Sequence, residues 1–333
     1  MRPFAFVEPT TLEDIVRLLA AGQGQARLIA GGSDLLGELK DDIVHYEQLI
    51  SLAGIETLRH IRQEERTLRL GALVTLSQLE HDPRVLGAYG ILAEAARSVA
   101  TPEIRHQGTL GGNLCQRPRC LYYRQALTPC LKKGGEDCPA LTSPYQGYLS
   151  IMGGQGCYSV HASDLAPSLI ALGAQVSLCG AAGERSLPVE QFVVGPERNV
   201  RRENVLADDE VLTAVTLPAL PAGWQGTYLK ARERTAGDFP LVSVAVGFSL
   251  IARRIHQARV VLGGVAPVPW RSRDAEAVLE QHVPSSPLAT QATEVLLAQA
   301  QPLAYNAFKV DIARTLVPRA IMAVAAHHRA GVA

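Results

Sequence analysis

Arg27-Leu28-Ile29-Ala30-Gly31-Gly32-Ser33-Asp34-Leu35-Leu36-Gly37-Glu38-Leu39-Lys40 reads as a buried strand, a glycine turn and a short helix. Four apolar or amphipathic residues run into two glycines, which allow a sharp reversal, and a helix-compatible stretch begins at Leu35. Upstream, Phe4 to Val7 reads as a short strand. Thr10 opens a helix with Glu13 three residues on, the spacing of a capping box, and Leu12, Ile15, Val16 and Leu19 then share one face until Gly22. Downstream, Gln48 to Leu52 reads as another strand. Strands alternating with helices in this way specify an α/β unit.

Farther along, Glu56 to Ala72 carries strand-like positions around the polar turn Gln63-Glu64-Glu65, which predicts a hairpin. Gly90 to Ala100 reads as a helix, Thr101 to Arg105 as a loop, and Gly108 to Asn113 as a second glycine turn. Ser163 is a good N-cap for a helix over Asp164 to Leu172, with a strand at Gln175 to Cys179. Pro218 to Gly223 is the best linker. Beyond it, Val242 to Ala252 and Ala258 to Leu262 read as strands, and Ala275 to Gln281, Leu288 to Ala298 and Val310 to Ala326 as helices.

A chain of 333 residues is long enough for two domains of about 100–200 residues each. Its 32 basic and 32 acidic residues cancel, so no global field favours nucleic acid or an anionic membrane surface. The longest apolar stretch, Leu241 to Ala252, is too short to span a bilayer, and Met1-Arg2-Pro3-Phe4 does not begin a secretory signal. These features predict a soluble chain that is cytoplasmic by default, or periplasmic if exported with a signal-bearing partner.

Both glycine segments, Gly31-Gly32-Ser33 and Thr109-Leu110-Gly111-Gly112-Asn113, could offer successive backbone N–H groups to a phosphate. Neither is a Rossmann or Walker motif, and a plain structural turn is the bland alternative for each. The presence of two favours a dinucleotide. Of the six cysteines, only Cys179 lies outside residues 115–157. Cys120, Cys130, Cys138 and Cys157 follow C-x9-C-x7-C-x18-C, a donor set for a tetrahedral zinc or a cubane iron–sulfur cluster. The wide spacing lacks the paired knuckles usual for zinc. Arg117, Arg119, Arg124, Lys132 and Lys133 would offset cluster charge and lower the thiol pKa values. Cys115 and Cys179 read as core. No hydrolase elbow, paired-histidine metal motif or nicotinamide motif is present.

Ala30-Gly31-Gly32-Ser33-Asp34, Thr109-Leu110-Gly111-Gly112-Asn113, Ser163-Asp164-Leu165-Ala166-Pro167, Asp238 to Ala245 and Leu262 to Pro267 together resemble the FAD-binding medium subunit of the xanthine dehydrogenase and molybdenum hydroxylase family. The resemblance is collinear from about Arg2 to Ala326. Gln116-Arg117-Pro118-Arg119-Cys120-Leu121-Tyr122-Tyr123-Arg124 is similar to the branch that adds a 4Fe-4S cluster, as in periplasmic aldehyde oxidoreductase. The fold it implies is α+β. An α/β-like FAD-binding domain covers residues 1–218, in subdomains of about 1–55 and 56–218, with a cysteine-rich insertion at 115–157. A smaller C-terminal domain of antiparallel sheet and helices covers 224–330.

The resemblance further implies that Ala30 to Leu35, Thr109, Gly111, Gly112 and Asn113 hold FAD. Ser163 and Asp164 lie where the family contacts polar groups of the cofactor, and Lys230, Asp238 and Phe239 lie near its ring system. The implied cluster ligands are Cys120, Cys130, Cys138 and Cys157. The implied partners are a molybdopterin-binding large subunit, a small subunit with two 2Fe-2S clusters and an external electron acceptor. The implied function is electron transfer in aldehyde oxidation, with no substrate-oxidising residue in this chain. The alternatives are a middle subunit like that of 4-hydroxybenzoyl-CoA reductase, or a flavin subunit with a structural zinc.

Overall fold

The computed structural model describes residues 1–330 and contains three sheets. The first is parallel, with strands β1 (Ala5–Val7), β2 (Ala26–Ile29) and β3 (Gln48–Ser51) in the order β1-β3-β2. The helix Leu12–Ala21 links β1 to β2 and buries Ile15 and Leu19 against Ala26, Ile50 and Leu52. Its N-cap is Thr11, one residue later than the sequence spacing predicts. The Thr11 hydroxyl accepts the Asp14 N–H at 3.1 Å. Both threonines can cap, and the extended backbone at Thr11 decides between them.

The second sheet is antiparallel, with strands β4 (Ile61–Glu64), β5 (Thr67–Gly71), β6 (Gln175–Gly180), β7 (Gly183–Pro188) and β8 (Val211–Leu217) in the order β4-β5-β8-β6-β7. Pairing of β5 with β8 joins residues far apart in sequence, Leu68 opposite Leu217. Helices Leu76–His81, Gly90–Ser98 and Leu165–Ala171 share the core of this sheet, in which Leu70, Leu92, Leu169, Val176 and Val215 are buried.

The third sheet is antiparallel, with strands β9 (Gln225–Ala231), β10 (Val242–Ile251), β11 (Arg254–Gly263) and β12 (Trp270–Arg271) in the order β12-β11-β10-β9. Val242, Val244, Val246 and Phe248 of β10 face helices Arg273–Leu279, Ser286–Leu296 and Phe308–Ala330, whereas Ala245 and Val261 pack into the core of the second sheet. Burial on both faces explains why 241–252 is largely apolar, interrupted only by Ser243, Gly247 and Ser249, and does not alternate. No described helix is long and apolar enough to cross a membrane.

Much of the insertion runs outside all three sheets, and its exit is pinned to the C-terminal part. Ile151 and Met152 donate to the Val265 carbonyl at 2.8 and 3.1 Å. The Asn306 amide donates to the carbonyls of Leu149 and Ser150, and the buried Lys309 ammonium donates to those of Leu149 and Gly264 at 2.7 and 2.5 Å. Burial without a carboxylate partner pushes Lys309 down to about 7 from 10.5. Between these values the unfolded chain binds more protons than the fold, so this residue makes stability rise with pH from about 7 towards 10.5. Its burial cost is fully present below that window. Lys309→Met is expected to flatten this slope in chemical denaturation measured across the window; an unchanged slope would refute a buried, weakly basic Lys309.

Candidate functional site

Between β2 and the helix Leu35–Lys40, the chain turns at Gly31 and Gly32. Gly32 has φ +70°, a left-handed conformation that glycine adopts without a Cβ penalty. A Cβ on Gly31 would stand 1.8 Å from the Gln107 carbonyl oxygen, so only glycine lets the two loops touch. Among the described residues, no protein acceptor takes the backbone N–H groups of Gly31, Gly32, Ser33, Asp34 or Leu35. These donors remain available to a ligand.

The second glycine segment differs from the sequence expectation. Residues Pro102–Gln107 form a helix, not a loop, and Thr109 is the N-cap of another helix, Leu110–Cys115. Gly111 N–H donates to the Ala72 carbonyl at 2.8 Å, Gly112 N–H to the Thr109 hydroxyl at 3.1 Å, and Asn113 N–H to the Thr109 carbonyl at 2.8 Å. These N–H groups are therefore already satisfied and form no anion nest. What the segment supplies is room, since a Cβ on Gly112 would meet only the Thr109 hydroxyl.

Two cavities meet across these segments. The larger, about 430 Å³, is bounded by Ala30, Gly31, Gly32, Leu35 and Gly111, together with Tyr46 and Arg202. The smaller, about 210 Å³, is bounded by Asn113, Asp164, Asp238 and Phe239, together with Leu76, Val99, Ile104 and Arg119. Ser33, Asp34, Thr109, Gly112 and Gln116 line both and form the waist. At the smaller cavity Ala100 holds φ +44°, unusual for a residue with a Cβ, and its carbonyl accepts the Gly237 N–H at 3.2 Å.

Ser163 and Lys230 line neither cavity. The Ser163 hydroxyl donates to the Asn113 side-chain carbonyl at 2.5 Å and accepts the Ala166 N–H at 3.1 Å. Lys230 lies behind Asp164. Its ammonium donates to that carboxylate at 2.8 Å, the Tyr228 hydroxyl donates to the other oxygen at 2.6 Å, and both Lys230 and Asp164 side chains are over 95% buried. Burial and the Asp164 charge push the Tyr228 phenol well up. Lys230 and Tyr228 thus hold Asp164 in place from outside the cavity. Asp238 is fixed by the Arg234 backbone N–H and Nε, both at 2.8 Å, and these bonds hold its carboxyl below the usual range.

Cys120, Cys130, Cys138 and Cys157 line one small cavity of about 20 Å³ with Tyr122, Lys132 and Ser159. Cys115 lies elsewhere, half-buried beside the larger cavity, with its thiol pushed up to about 12 by desolvation. Among the described residues, no group of three or more His, Cys, Asp or Glu converges as a site for one metal ion. Zinc with bonds of about 2.3 Å would require that convergence. At Cys120 and Cys138 the thiol pKa is not lowered as the sequence suggests, and four of the five nearby cations are engaged by carboxylates. Arg117 and Lys132 pair with Glu203, and Arg119 and Arg124 with Asp34. Desolvation therefore dominates, and it pushes Cys120 up to about 11 and raises Cys138.

Sequence reasoning did not single out Gln116 at the waist, nor Leu76, Val99 and Ile104 on the wall of the smaller cavity. Leu76 and Ile104 sit on short helices and Val99 just after one, and nothing in their local pattern separates them from core residues.

Residues 2–220 match the FAD binding domain in molybdopterin dehydrogenase, and residues 227–324 match the CO dehydrogenase flavoprotein C-terminal domain. The chain belongs to this family of FAD-binding oxidoreductase subunits. It is 34% identical to the aldehyde oxidoreductase FAD-binding subunit PaoB of Escherichia coli, over 92% of each chain. It is 27% identical to the carbon monoxide dehydrogenase medium chain of Hydrogenophaga pseudoflava, over 96% of each. Among solved structures, carbon monoxide dehydrogenase from that organism matches with a TM-score of 0.78 and 26% identity, over 98% of this chain and 99% of the other. Quinoline 2-oxidoreductase from Pseudomonas putida 86 matches with a TM-score of 0.77 and 25% identity, over 98% of each. The α+β, two-part architecture expected from the sequence is shared with these flavoproteins.

Gly31→Ala is expected to force the two loops apart, costing about 1–3 kcal/mol of stability and reducing bound FAD, as read by denaturation and by flavin content. Lys230→Met leaves Asp164 with one partner fewer in a buried setting. A loss of about 3–5 kcal/mol is expected, and a change below about 1 kcal/mol in denaturation would refute the buried pair.

Proposed function

We propose that this chain is the electron-transfer subunit of a multisubunit molybdenum hydroxylase acting in aldehyde oxidation, and that it carries FAD and a 4Fe-4S cluster. Its partners in this reading are a molybdopterin-binding large subunit, a small subunit with two 2Fe-2S clusters and an external electron acceptor. The observation that carries the reading is the joining of two cavities at a waist that bears free N–H donors, in a chain of the FAD-binding family. The likeness to an aldehyde oxidoreductase subunit supports the substrate class.

The cavities suit a dinucleotide in shape and chemistry. The free N–H groups of Gly31 to Leu35 would donate to its phosphates, and the larger cavity would take the adenosine part. Val99, Ile104, Leu76 and Phe239 would exclude water around the ring system, while Asp164, held by Lys230 and Tyr228, would present a fixed carboxylate. When bound, FAD accepts electrons in pairs and a cluster passes them singly, which allows conversion between the two modes.

The cluster reading is supported by the four cysteines that line one small cavity and by the Tyr122 hydroxyl, which is buried without a partner and belongs to a residue lining that cavity. Such a hydroxyl can donate to sulfur. Iron, acid-labile sulfide and flavin per chain, measured on anaerobically purified complex, test the proposal. One FAD is expected, together with about four irons attributable to this chain that disappear in Cys130→Ser. Zinc in place of that iron would make the insertion structural, and a flavin-free complex would sink the functional reading.

A further inference from the structure

Arg119 belongs to the insertion and directly precedes Cys120, yet it lines the smaller cavity and not the one formed by the thiols. Its guanidinium carbon lies 5.0 Å from the centre of the Phe239 ring. One terminal nitrogen pairs with the Asp34 carboxylate at 2.9 Å and donates to the Gln116 side-chain oxygen at 3.4 Å. Its Nε is buried and has no hydrogen-bond partner in the protein. A buried donor in this state is destabilising, so a filled site is expected to supply its acceptor.

Of the three carboxylates lining this cavity, Asp164 is paired with Lys230 and Asp238 with Arg234, and the charges around Asp34 are net positive. Asp34 is shared by Arg119, by Arg124 at 2.6 Å and by the Arg117 backbone N–H at 2.7 Å. Glu203 is shared by Arg117 and Lys132. Glu38 accepts the Tyr123 hydroxyl at 2.5 Å, and burial raises its pKa. Arg117, Arg119, Arg124 and Lys132 therefore outnumber Asp34, Glu38 and Glu203 even when every carboxylate is ionised.

We propose that Arg119 contacts the isoalloxazine ring of the flavin through its unpartnered Nε and favours the reduced, anionic form of the ring over the neutral oxidised one. The assignment rests on the FAD reading above. Uptake of two electrons and one proton turns the neutral ring into an anion, with the electrons coming from the reduced iron–sulfur partner. A fixed cation binds that product more tightly than the reactant and raises the two-electron potential. The position next to Cys120 places the same side chain at the boundary between the two cofactor cavities, and its stacking on Phe239 ties the insertion to the C-terminal part.

The test uses the purified complex and reads FAD per chain together with the two-electron midpoint potential of the bound flavin, from its visible spectrum in a mediated titration. In Arg119→Gln, the reduced form is expected to bind about tenfold more weakly relative to the oxidised form, a fall of about 30 mV. Arg119→Lys is expected to recover most of that fall. A glutamine variant that loses part of its FAD but keeps the wild-type potential in the remainder would make Arg119 purely structural and overturn the assignment. So would a lysine variant shifted as far as the glutamine variant. If the glutamine variant holds no flavin, the lysine variant decides in the same way, with a wild-type potential supporting the role of charge and a full shift overturning it. A wild-type complex without flavin would remove the functional reading itself, whereas a flavin-bearing wild type with an unmoved variant potential would remove only the role of Arg119.

Discussion

The carboxylate of Asp34 is the contact on which the site depends. It follows the first glycine turn and accepts hydrogen bonds from the Arg117 backbone and the Arg124 guanidinium, while Arg119 pairs with it. The insertion from 115 to 157 has little hydrophobic core of its own and is rich in Arg, Lys, Pro and Gly. It keeps its place through buried ion pairs with acceptors on other segments, Asp34 and Glu38 on one side and Glu203 on the other. Such pairs contribute little net stability compared with apolar packing, but they fix geometry, because a misplaced partner would leave a buried charge unmatched.

The two larger cavities lie where separately built parts of the chain converge. Ser33 and Asp34 come from the parallel sheet unit, Val99 and Ile104 from the helical side of the second sheet, Gln116 and Arg119 from the insertion, and Asp238 and Phe239 from the loop between β9 and β10. The third sheet is buried on both faces and so locks that loop against the rest. Lys309 and Asn306 then tie the end of the insertion to the same C-terminal unit. Junctions of this kind are where ligand sites commonly form, since no single element can enclose a dinucleotide.

Within the site, the two glycine segments do different work despite their similar composition. Gly31 permits contact with the Gln107 carbonyl, and its turn leaves N–H donors free. Gly111 and Gly112 sit in a helix whose donors are already used, so they contribute closeness and open space. Asp164 and Lys230 divide their labour similarly, with the carboxylate at the cavity and the ammonium behind it.

Local pattern was enough to read the strand, turn and helix at Arg27 to Lys40, the helical face of Leu12 to Leu19 and the three C-terminal helices. These depend on periodicity, capping and glycine or proline placement, all of which act over a few residues. The four cysteines were legible as a group because their spacing is a property of the chain itself, and the fold brings them to one small cavity. Which hydrogen bonds the Thr109 segment makes, that Lys230 stands behind Asp164, and that Arg119 faces the smaller cavity and not the one lined by the cysteines were decided only by tertiary structure. Those outcomes turn on partners such as Ala72, Tyr228 and Phe239, which are distant in sequence. Whether a charge lowers a thiol pKa likewise depends on the carboxylates and burial around it, and these exist only once the chain has folded.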